Sequence, residues 1–319
     1  NIAPVDARIE DTGEKFEIIP ETVGTQVNRE RLEEEIVKAV TTGDPAVNLE
    51  EDGCYDNPQV YEDDERLVRD CEQMNELTDV VITYDFSDRK ETVDRSVIRG
   101  WLTRDENGDL MLDKEKISAY VASLGEKYDT VGSSRTFETY DNREVIVSGG
   151  DYGWVIDQEK ETEALYQAVA EKKTQVREPE YSQKAMSRDT NDIGYTYVEV
   201  DLPNHRLVVY QNGTPAADTG IISSSGTPAG VYTVQGMDTS AEVNGKTVNY
   251  RISFGGGLGI QDDPEMNFTG DLTGGYEDPG LGSDFSSWGG TEGNVVVPSD
   301  QAALVFQNVT EDMPIVIYK

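Results

Sequence analysis

The amino-acid sequence predicts two domains of different class, an α+β domain over residues 1–190 followed by a mainly β domain over residues 191–319. Three observations predict this division. Apolar residues recur at helical spacing in several segments of the first part, whereas alternating strands and glycine-rich loops dominate the second. The segment Ser182–Asn191 is polar and has no apolar period, so we place the boundary there. A chain of 319 residues also exceeds what one hydrophobic core usually holds.

The first region contains four segments with the apolar spacing of an amphipathic helix. Their apolar residues are Leu32, Ile36, Ala39 and Val40; Val97, Ile98, Trp101 and Leu102; Ile117, Tyr120, Val121 and Leu124; and Ala164, Leu165, Ala168 and Val169. The first helix is expected after Asn28, and Asp113 and Asp157 are the predicted N-caps of the last two. A strand through Ile82, Tyr84 and Phe86 and a hairpin over residues 137–147 complete the α+β pattern.

Charge excludes two classes of partner. The formal net charge is -36, and such a field repels phosphate backbones and anionic lipid headgroups. We therefore expect neither nucleic-acid binding nor membrane contact from this segment, and solubility is the simplest role of the acidity. No apolar run approaches the roughly 18 to 20 residues that a membrane span needs. Because the chain begins at Asn1, we expect a fragment whose signal or anchor lies outside it.

No metal site or cofactor is predicted. Two cysteines and one histidine cannot fill an ordinary zinc site. The acidic run Asp105–Asp109 lacks the residue order of an EF-hand, and an Asn-Gly turn explains it better.

The second region contains five motifs in a fixed order. They are YVEVDL at residues 197–202 with YQNG at 210–213, TPAG at 227–230, GIQD at 259–262, GTEGNV at 290–295 and MPIV at 313–316. In this order they resemble the YkuD-type L,D-transpeptidase domain, which implies a β-sandwich. The first region, with Tyr152-Gly153-Trp154, resembles the peptidoglycan-binding domain that often precedes that domain in Gram-positive bacteria.

The resemblance implies acyl transfer through a cysteine thiolate, with a histidine that takes its proton and donors that hold the oxyanion. The family positions in this sequence are Gln261 and Asp262 in the G-I-H-D motif, and Thr291, Glu292, Gly293 and Asn294 in the S-H-G-C motif. The nucleophile and both histidines are thus replaced. The resemblance therefore predicts a pseudoenzyme with no catalytic residue. Its remnant cleft at Gln261, Glu292 and Asn294 is expected to bind peptidoglycan, cell-wall peptides or a partner protein.

An alternative is a residual or repurposed transpeptidase or hydrolase in which Glu292 and Asp262 act as an acid–base pair. The lone histidine, His205, falls on the first hairpin and is better explained as a surface residue. The serines at 223–225 and 286–287 have no histidine in their motifs to activate them. A purely structural domain without a ligand is the third interpretation.

The two cysteines, Cys54 and Cys71, are predicted to form a disulfide, with two reduced core thiols as the alternative. Cys71 shares the apolar face of a helix with Leu67 and Met74, and Cys54 lies in an extended stretch just before it. The disulfide is favoured because the resemblance places the protein outside the cell, at the wall or membrane of a Gram-positive bacterium.

Overall fold

The structure is a computed structural model that describes residues 2–223, 226–243, 245–263 and 293–319. The chain divides into two compact units. The first comprises Asn1–Tyr84, Glu91–Ala119 and Thr162–Arg177, and the second comprises Asp85–Lys90, Tyr120–Glu161 and Glu178–Lys319. Across the described residues, no helix combines the length and the apolar character that a membrane span requires.

The described residues form short helices and many short strands. The helices are α1 (Arg29–Thr42), α2 (Glu65–Thr78), α3 (Arg95–Ile98), α4 (Lys114–Tyr128), α5 (Gln158–Ala170) and α6 (Ser299–Gln307), with 3-10 turns at Arg99–Trp101 and Thr190–Asp192. The strands are β1 (Arg8–Asp11), β2 (Phe16–Ile19), β3 (Ile82–Asp85), β4 (Lys90–Val93), β5 (Leu102–Arg104), β6 (Leu110–Leu112), β7 (Arg135–Glu138), β8 (Glu144–Val147), β9 (Val155–Ile156), β10 (Gln175–Arg177), β11 (Tyr181–Gln183), β12 (Tyr197–Asp201), β13 (Arg206–Gln211), β14 (Thr214–Gly220), β15 (Ile222–Ser223), β16 (Gly230–Thr233), β17 (Gly236–Val243), β18 (Lys246–Phe254), β19 (Leu258–Asp262), β20 (Val295–Val297) and β21 (Pro314–Tyr318).

The helices begin where the sequence predicts. Asn28 caps α1 by accepting a hydrogen bond from the Arg31 amide at 3.1 Å. Asp113 accepts from the Glu115 and Lys116 amides at the start of α4, and Asp157 accepts from the Lys160 amide in α5. Side-chain oxygens thus satisfy amides that the first helical turn leaves unpaired.

The second predicted helix is shorter than its apolar spacing indicates. Val97 and Ile98 lie in α3 and Trp101 in the 3-10 turn that follows, but Leu102 already begins β5. The hairpin of β5 and β6 then turns at Asp105–Asp109, where the Asp105 carboxylate accepts from the Asn107 and Asp109 amides at 2.9 and 2.8 Å. This is the turn that the sequence predicts there.

The predicted disulfide is wrong, because both cysteines are free thiols. Cys71 lies on α2 and donates from Sγ to the Phe16 carbonyl at 3.4 Å. Cys54 follows a turn, and its backbone pairs with the Leu49 carbonyl and the Asn28 amide. Each thiol is therefore buried among its own neighbours. Burial raises the pKa of both thiols, so neither is a reactive thiolate at neutral pH.

The second unit contains a β-sandwich. Within the described residues, one five-stranded sheet has the order β14-β13-β12-β21-β16 and the other β15-β20-β19-β18-β17. Apolar side chains of both sheets share one core, including Val198 and Ile315 from the first sheet and Ile252 and Val295 from the second. Two sheets that bury a common apolar layer in this way are the mainly β architecture that the sequence predicts.

Candidate functional site

Two neighbouring inner strands of the second sheet, β19 and β20, carry the described motif residues. Gln261 and Asp262 end β19, and Asn294 immediately precedes β20. The two strands are parallel and Ile260 lies opposite Val295, so Asn294 comes beside Gly259. Gln261 is 3% exposed and Asn294 is 4% exposed. Thr291 and Glu292 lie outside the described residues.

Backbone geometry constrains the segment that directly precedes β20. Gly293 has φ +83°, and a Cβ there would lie 2.5 Å from Leu258 Cδ2. Thr227, the first residue of the TPAG motif, is fully buried and donates from Oγ1 to the Asn294 carbonyl at 3.5 Å. The left-handed backbone therefore favours glycine at 293, and a side chain there would also displace the Leu258 side chain.

Arg251 on β18, the strand next to β19, is the residue near the motif that the sequence interpretation missed. Its guanidinium donates from Nη1 to Gln261 Oε1 and from Nη2 to the Gly257 carbonyl at 2.7 Å. The group lies against Gly259, where a Cβ would come 2.5 Å from Nη1. A lone arginine in the strand sequence VNYRISF was the available signal.

The charge of Arg251 has no ion-pair partner within 4.0 Å among the described residues. Asp238 lies opposite it on β17, but that side chain is exposed. Arg251 is only 8% exposed, and burial lowers the pKa of its guanidinium. Among the described residues the guanidinium bonds to neutral acceptors, and burial of a cation is costly where no carboxylate offsets its lost hydration.

Asp262 has a different environment from its neighbour Gln261. Its Oδ1 accepts from the Asn249 amide at 2.6 Å and its Oδ2 accepts from Asn249 Nδ2 at 3.1 Å. Both carboxylate oxygens therefore connect the end of β19 to β18. Asp262 is buried, and these two bonds position it as a structural acceptor.

The candidate hydroxyls and the histidine take different places. Ser223 on β15 lies opposite Val295 on β20, and Val295 directly follows Asn294 in the sequence. The serines at 224–225 and 286–287 lie outside the described residues. His205 is exposed in the turn between β12 and β13, strands of the other sheet. Over the described ranges, the fold gives Ser223 no histidine on its own sheet, and no group of three His, Cys, Asp or Glu residues could hold a metal ion.

Known proteins with the same folds identify the family. A family model for a peptidoglycan binding domain matches residues 1–48 and 65–177, and the model of the L,D-transpeptidase catalytic domain matches residues 195–317. The crystal structure of an Enterococcus faecium L,D-transpeptidase, a cysteine-to-serine mutant, is 30% identical and covers 77% of this chain and 98% of its own, with a TM-score of 0.60. The chain belongs to the L,D-transpeptidase family.

A second L,D-transpeptidase structure agrees with this assignment. It is the carbamoyl enzyme that Ldtfm forms with avibactam, 30% identical, covering 79% of this chain and 99% of its own, with a TM-score of 0.61. No curated protein matches the chain. The peptidoglycan-binding domain and the strand-rich catalytic-type domain that the sequence predicts are thus confirmed.

Besides the Asp262 carboxylate, the described motif strands carry two other kinds of hydrogen-bonding group. Gln261 and Asn294 are carboxamides, and Arg251 is a permanent cation. Such groups recognise polar or anionic ligands, but a carboxamide is not an acyl-transfer nucleophile.

Proposed function

We propose that this member of the L,D-transpeptidase family does not carry out transpeptidation and instead binds peptidoglycan stem peptides, or a partner protein, at the cell wall of a Gram-positive bacterium. The peptidoglycan-binding part spans residues 1–190 and the catalytic-type part residues 191–319. The observation that carries the proposal is Asn294, which stands at the motif position of the cysteine nucleophile.

Chemistry supports the loss of activity. Acyl transfer of this type needs a thiolate and a base, and Asn294 and Gln261 supply neither. In a serine protease, removal of the nucleophile alone lowers kcat by about 10⁶-fold. The two cysteines of the chain belong to the first unit, and burial raises the pKa of each thiol.

Two features support retained binding. The family model for a peptidoglycan binding domain covers residues 1–48 and 65–177. At the start of β20, Thr227 and Gly293 hold the preceding backbone in a defined conformation. Gln261 and Asn294 are buried, so a ligand reaches their side chains only when neighbouring groups move.

Covalent labelling tests the loss of activity. The full chain is incubated with avibactam, which carbamoylates the relative Ldtfm, and separately with a carbapenem, and the intact mass is measured. We expect no adduct. A stable adduct that maps to residues 223–298 would show that the site still acylates and would contradict the proposal.

Matched variants make the labelling result interpretable. The triple variant Gln261→His, Glu292→His, Asn294→Cys restores the motif residues, and an adduct on it shows that the reagent reaches the site. Ser223→Ala removes the described serine hydroxyl on β15, the strand that pairs with β20. An adduct that forms on the wild type and disappears in this variant would assign the chain a serine nucleophile.

Titration tests binding. A soluble muropeptide is added to the isotopically labelled chain and amide chemical shifts are recorded by NMR. We expect saturable shifts at up to millimolar concentration. Absence of any shift would contradict the binding half of the proposal and would favour a structural domain without a ligand.

A further inference from the structure

The first unit contains an open cleft that no catalytic motif explains. Its volume is about 540 Å³, within the range of roughly 300 to 1,000 Å³ typical of small-molecule sites. Three segments form it: the turn at Gly13 between β1 and β2, the end of α2, and the start of α3. Its polar lining is Thr78, Asp79, Asp94, Arg95, Ser96 and Arg99.

Two guanidinium groups at this cleft share one carboxylate. Asp11 accepts from Arg95 Nη2 at 3.0 Å and from Arg99 Nη1 at 3.1 Å. These three side chains carry a charge of plus one among themselves, although the carboxylates of Asp79 and Asp94 also line the cleft. The Arg99 guanidinium donates no other hydrogen bond to the described residues, and its side chain is 44% exposed. Its remaining N–H groups are available to an anion.

The arginine pair is held in place before any ligand arrives. Arg95 donates from Nη1 to Thr78 Oγ1 at 2.6 Å and stacks 4.6 Å from the centre of the Phe16 ring. Asp11 is itself fixed by the Gly13 amide at 2.9 Å. Arg95 Nε is buried and has no hydrogen-bond partner in the described part of the chain. Preorganised donors bind anions with a smaller entropic cost than flexible ones.

The same cleft also presents negative charge. Asp79 follows α2 directly and is exposed, at the end of the helix where carbonyl groups favour a cation. Asp94 accepts from the Ser96 amide at 2.9 Å and from Ser96 Oγ at 2.6 Å, which fixes the orientation of its carboxylate. A ligand in the cleft therefore meets guanidinium groups and carboxylates together.

We propose that this cleft binds a peptide segment that carries a free carboxylate and a free ammonium group, with the carboxylate at Arg99 and Arg95 and the ammonium at Asp79 and Asp94. Stem peptides of peptidoglycan carry both groups. The identity of the ligand rests on the proposed function, because cell-wall binding is itself a proposal. The cleft lies within the residues that the peptidoglycan-binding family model matches. The proposal therefore assigns the ligand contact of that domain to this cleft.

Affinity measurements with chemically matched probes test the cleft. The full chain is titrated by calorimetry with a muropeptide that has a free stem carboxylate and a free amine, with its C-terminal amide, and with its N-acetylated form. We expect each blocked probe to bind at least about fivefold more weakly than the free one. Free lysine, which carries the same groups without a peptide, is expected to bind more weakly than the muropeptide.

Two variants assign the groups. Arg99→Gln is expected to weaken binding of the free-acid probe about tenfold and to leave the affinity for the amide probe unchanged. Only the free acid forms a charge-assisted hydrogen bond with the guanidinium. Asp79→Asn is expected to weaken the free-amine probe and to leave the N-acetylated probe unchanged. Arg8→Gln is the control, since Arg8 is an exposed β1 arginine with its own partner Glu10 at 3.4 Å. A general effect of fewer positive charges would appear in this control as well.

Each outcome is decisive. Equal binding of all probes, or equal effects of Arg99→Gln and Arg8→Gln, overturns the proposal that the ligand binds in this cleft. If muropeptide shifts then map to β18 and β19, the proposed function survives without it. Equal or tighter binding of free lysine overturns the assignment to a peptide. If no probe binds the wild type at millimolar concentration, the cleft and the binding half of the proposed function both fail.

Discussion

Arg251 on β18 and Gly259 on β19 show how the residue type at one position depends on its neighbour on the paired strand. The guanidinium occupies the space that a side chain at 259 would fill, and from there it reaches Gln261 and the Gly257 carbonyl. A glycine is required for space, since its φ is not in the left-handed region. The cation is retained at a site where burial lowers the pKa of the group. This arrangement positions the Gln261 side chain.

Gly259→Ala should therefore destabilise the protein by about 1 to 3 kcal/mol, the usual cost of adding a methyl group to a filled site. The new Cβ would lie 2.5 Å from Nη1 and 2.7 Å from Cζ of Arg251, so the guanidinium must leave its acceptors. Chemical denaturation monitored by tryptophan fluorescence measures the change.

Gly236→Ala on β17 is the matched control, because a Cβ at position 236 would have no atom within 4 Å and the φ there is ordinary. In an Arg251→Met background, Gly259→Ala should cost much less, since the clashing group is gone. Equal costs in both backgrounds would show that the contact with Arg251 does not carry the effect.

At the residue scale, the sequence located the motif positions but could not supply their partners. Its order of motifs predicted that Gln261 and Asn294 occur in one domain, and the strand register brings their segments together. Arg251 and Asn249 act through contacts across strands whose pairing a single sequence does not reveal. The cleft of the first unit was missed for the same reason, since Asp11 and Arg99 are far apart in the chain.

At the scale of elements, the hairpin of β7 and β8 is held on the first sheet by buried carboxylates. Glu199 Oε1 accepts from the Tyr140 amide at 2.8 Å and from Tyr318 Oη at 2.7 Å. Asp201 Oδ2 accepts from Arg143 Nη2 at 2.7 Å. Phe137 and Val147 of the hairpin pack in one cluster with Val316 and Tyr318. Polar and apolar contacts thus hold the hairpin against the first sheet.

The pH dependence of this docking follows from Glu199. Burial raises the pKa of the Glu199 carboxyl above its ordinary value, and Oε2 is buried without a partner in the described residues. The folded state therefore favours the protonated carboxyl. Its contribution to stability is complete below the ordinary pKa and is lost as pH rises through the raised pKa.

Glu199→Gln should remove this dependence, because an amide does not titrate. Thermal unfolding midpoints of wild type and variant are compared between about pH 4 and pH 8. We expect the variant to gain on the wild type as pH rises. Glu144→Gln, at an exposed position of the same hairpin, should show no such trend. A difference between wild type and Glu199→Gln that stays constant with pH would contradict the assigned cause.

Elements were predictable where the pattern is local. Capping residues and apolar spacing located α1, α4 and α5, because helices form from contacts between near neighbours. The spacing did not show what a helix packs against. Ile36 and Val40 of α1 are 45% and 77% exposed, so its apolar stripe is not buried. The long hairpin of β17 and β18 was not predicted, although its sequence alternates and contains an Asn-Gly dipeptide at 244–245.

At the scale of the whole molecule, charge is the dominant feature. The chain has 63 acidic and 27 basic residues, so most carboxylates have no cationic partner available. Repulsion among them opposes the compact state. Many of the ion pairs that do form join exposed side chains, such as Lys15 with Glu17 and Lys184 with Glu178, and pairs of this kind contribute little.

Added salt should therefore stabilise the protein. Screening weakens repulsion between unpaired acids more than it weakens the few exposed pairs, because the acids are in excess. We expect the thermal unfolding midpoint to rise by at least about 2 °C, or about 1 kcal/mol, between about 10 mM and about 500 mM NaCl. A fall in the midpoint would mean that ion pairs outweigh repulsion.

CaCl₂ at matched ionic strength is the control, because screening depends on ionic strength whereas a specific calcium site would saturate at low concentration. Stabilisation by CaCl₂ well beyond that of NaCl would show that the acidity binds cations selectively, whereas equal effects would identify it as a diffuse field that favours solubility.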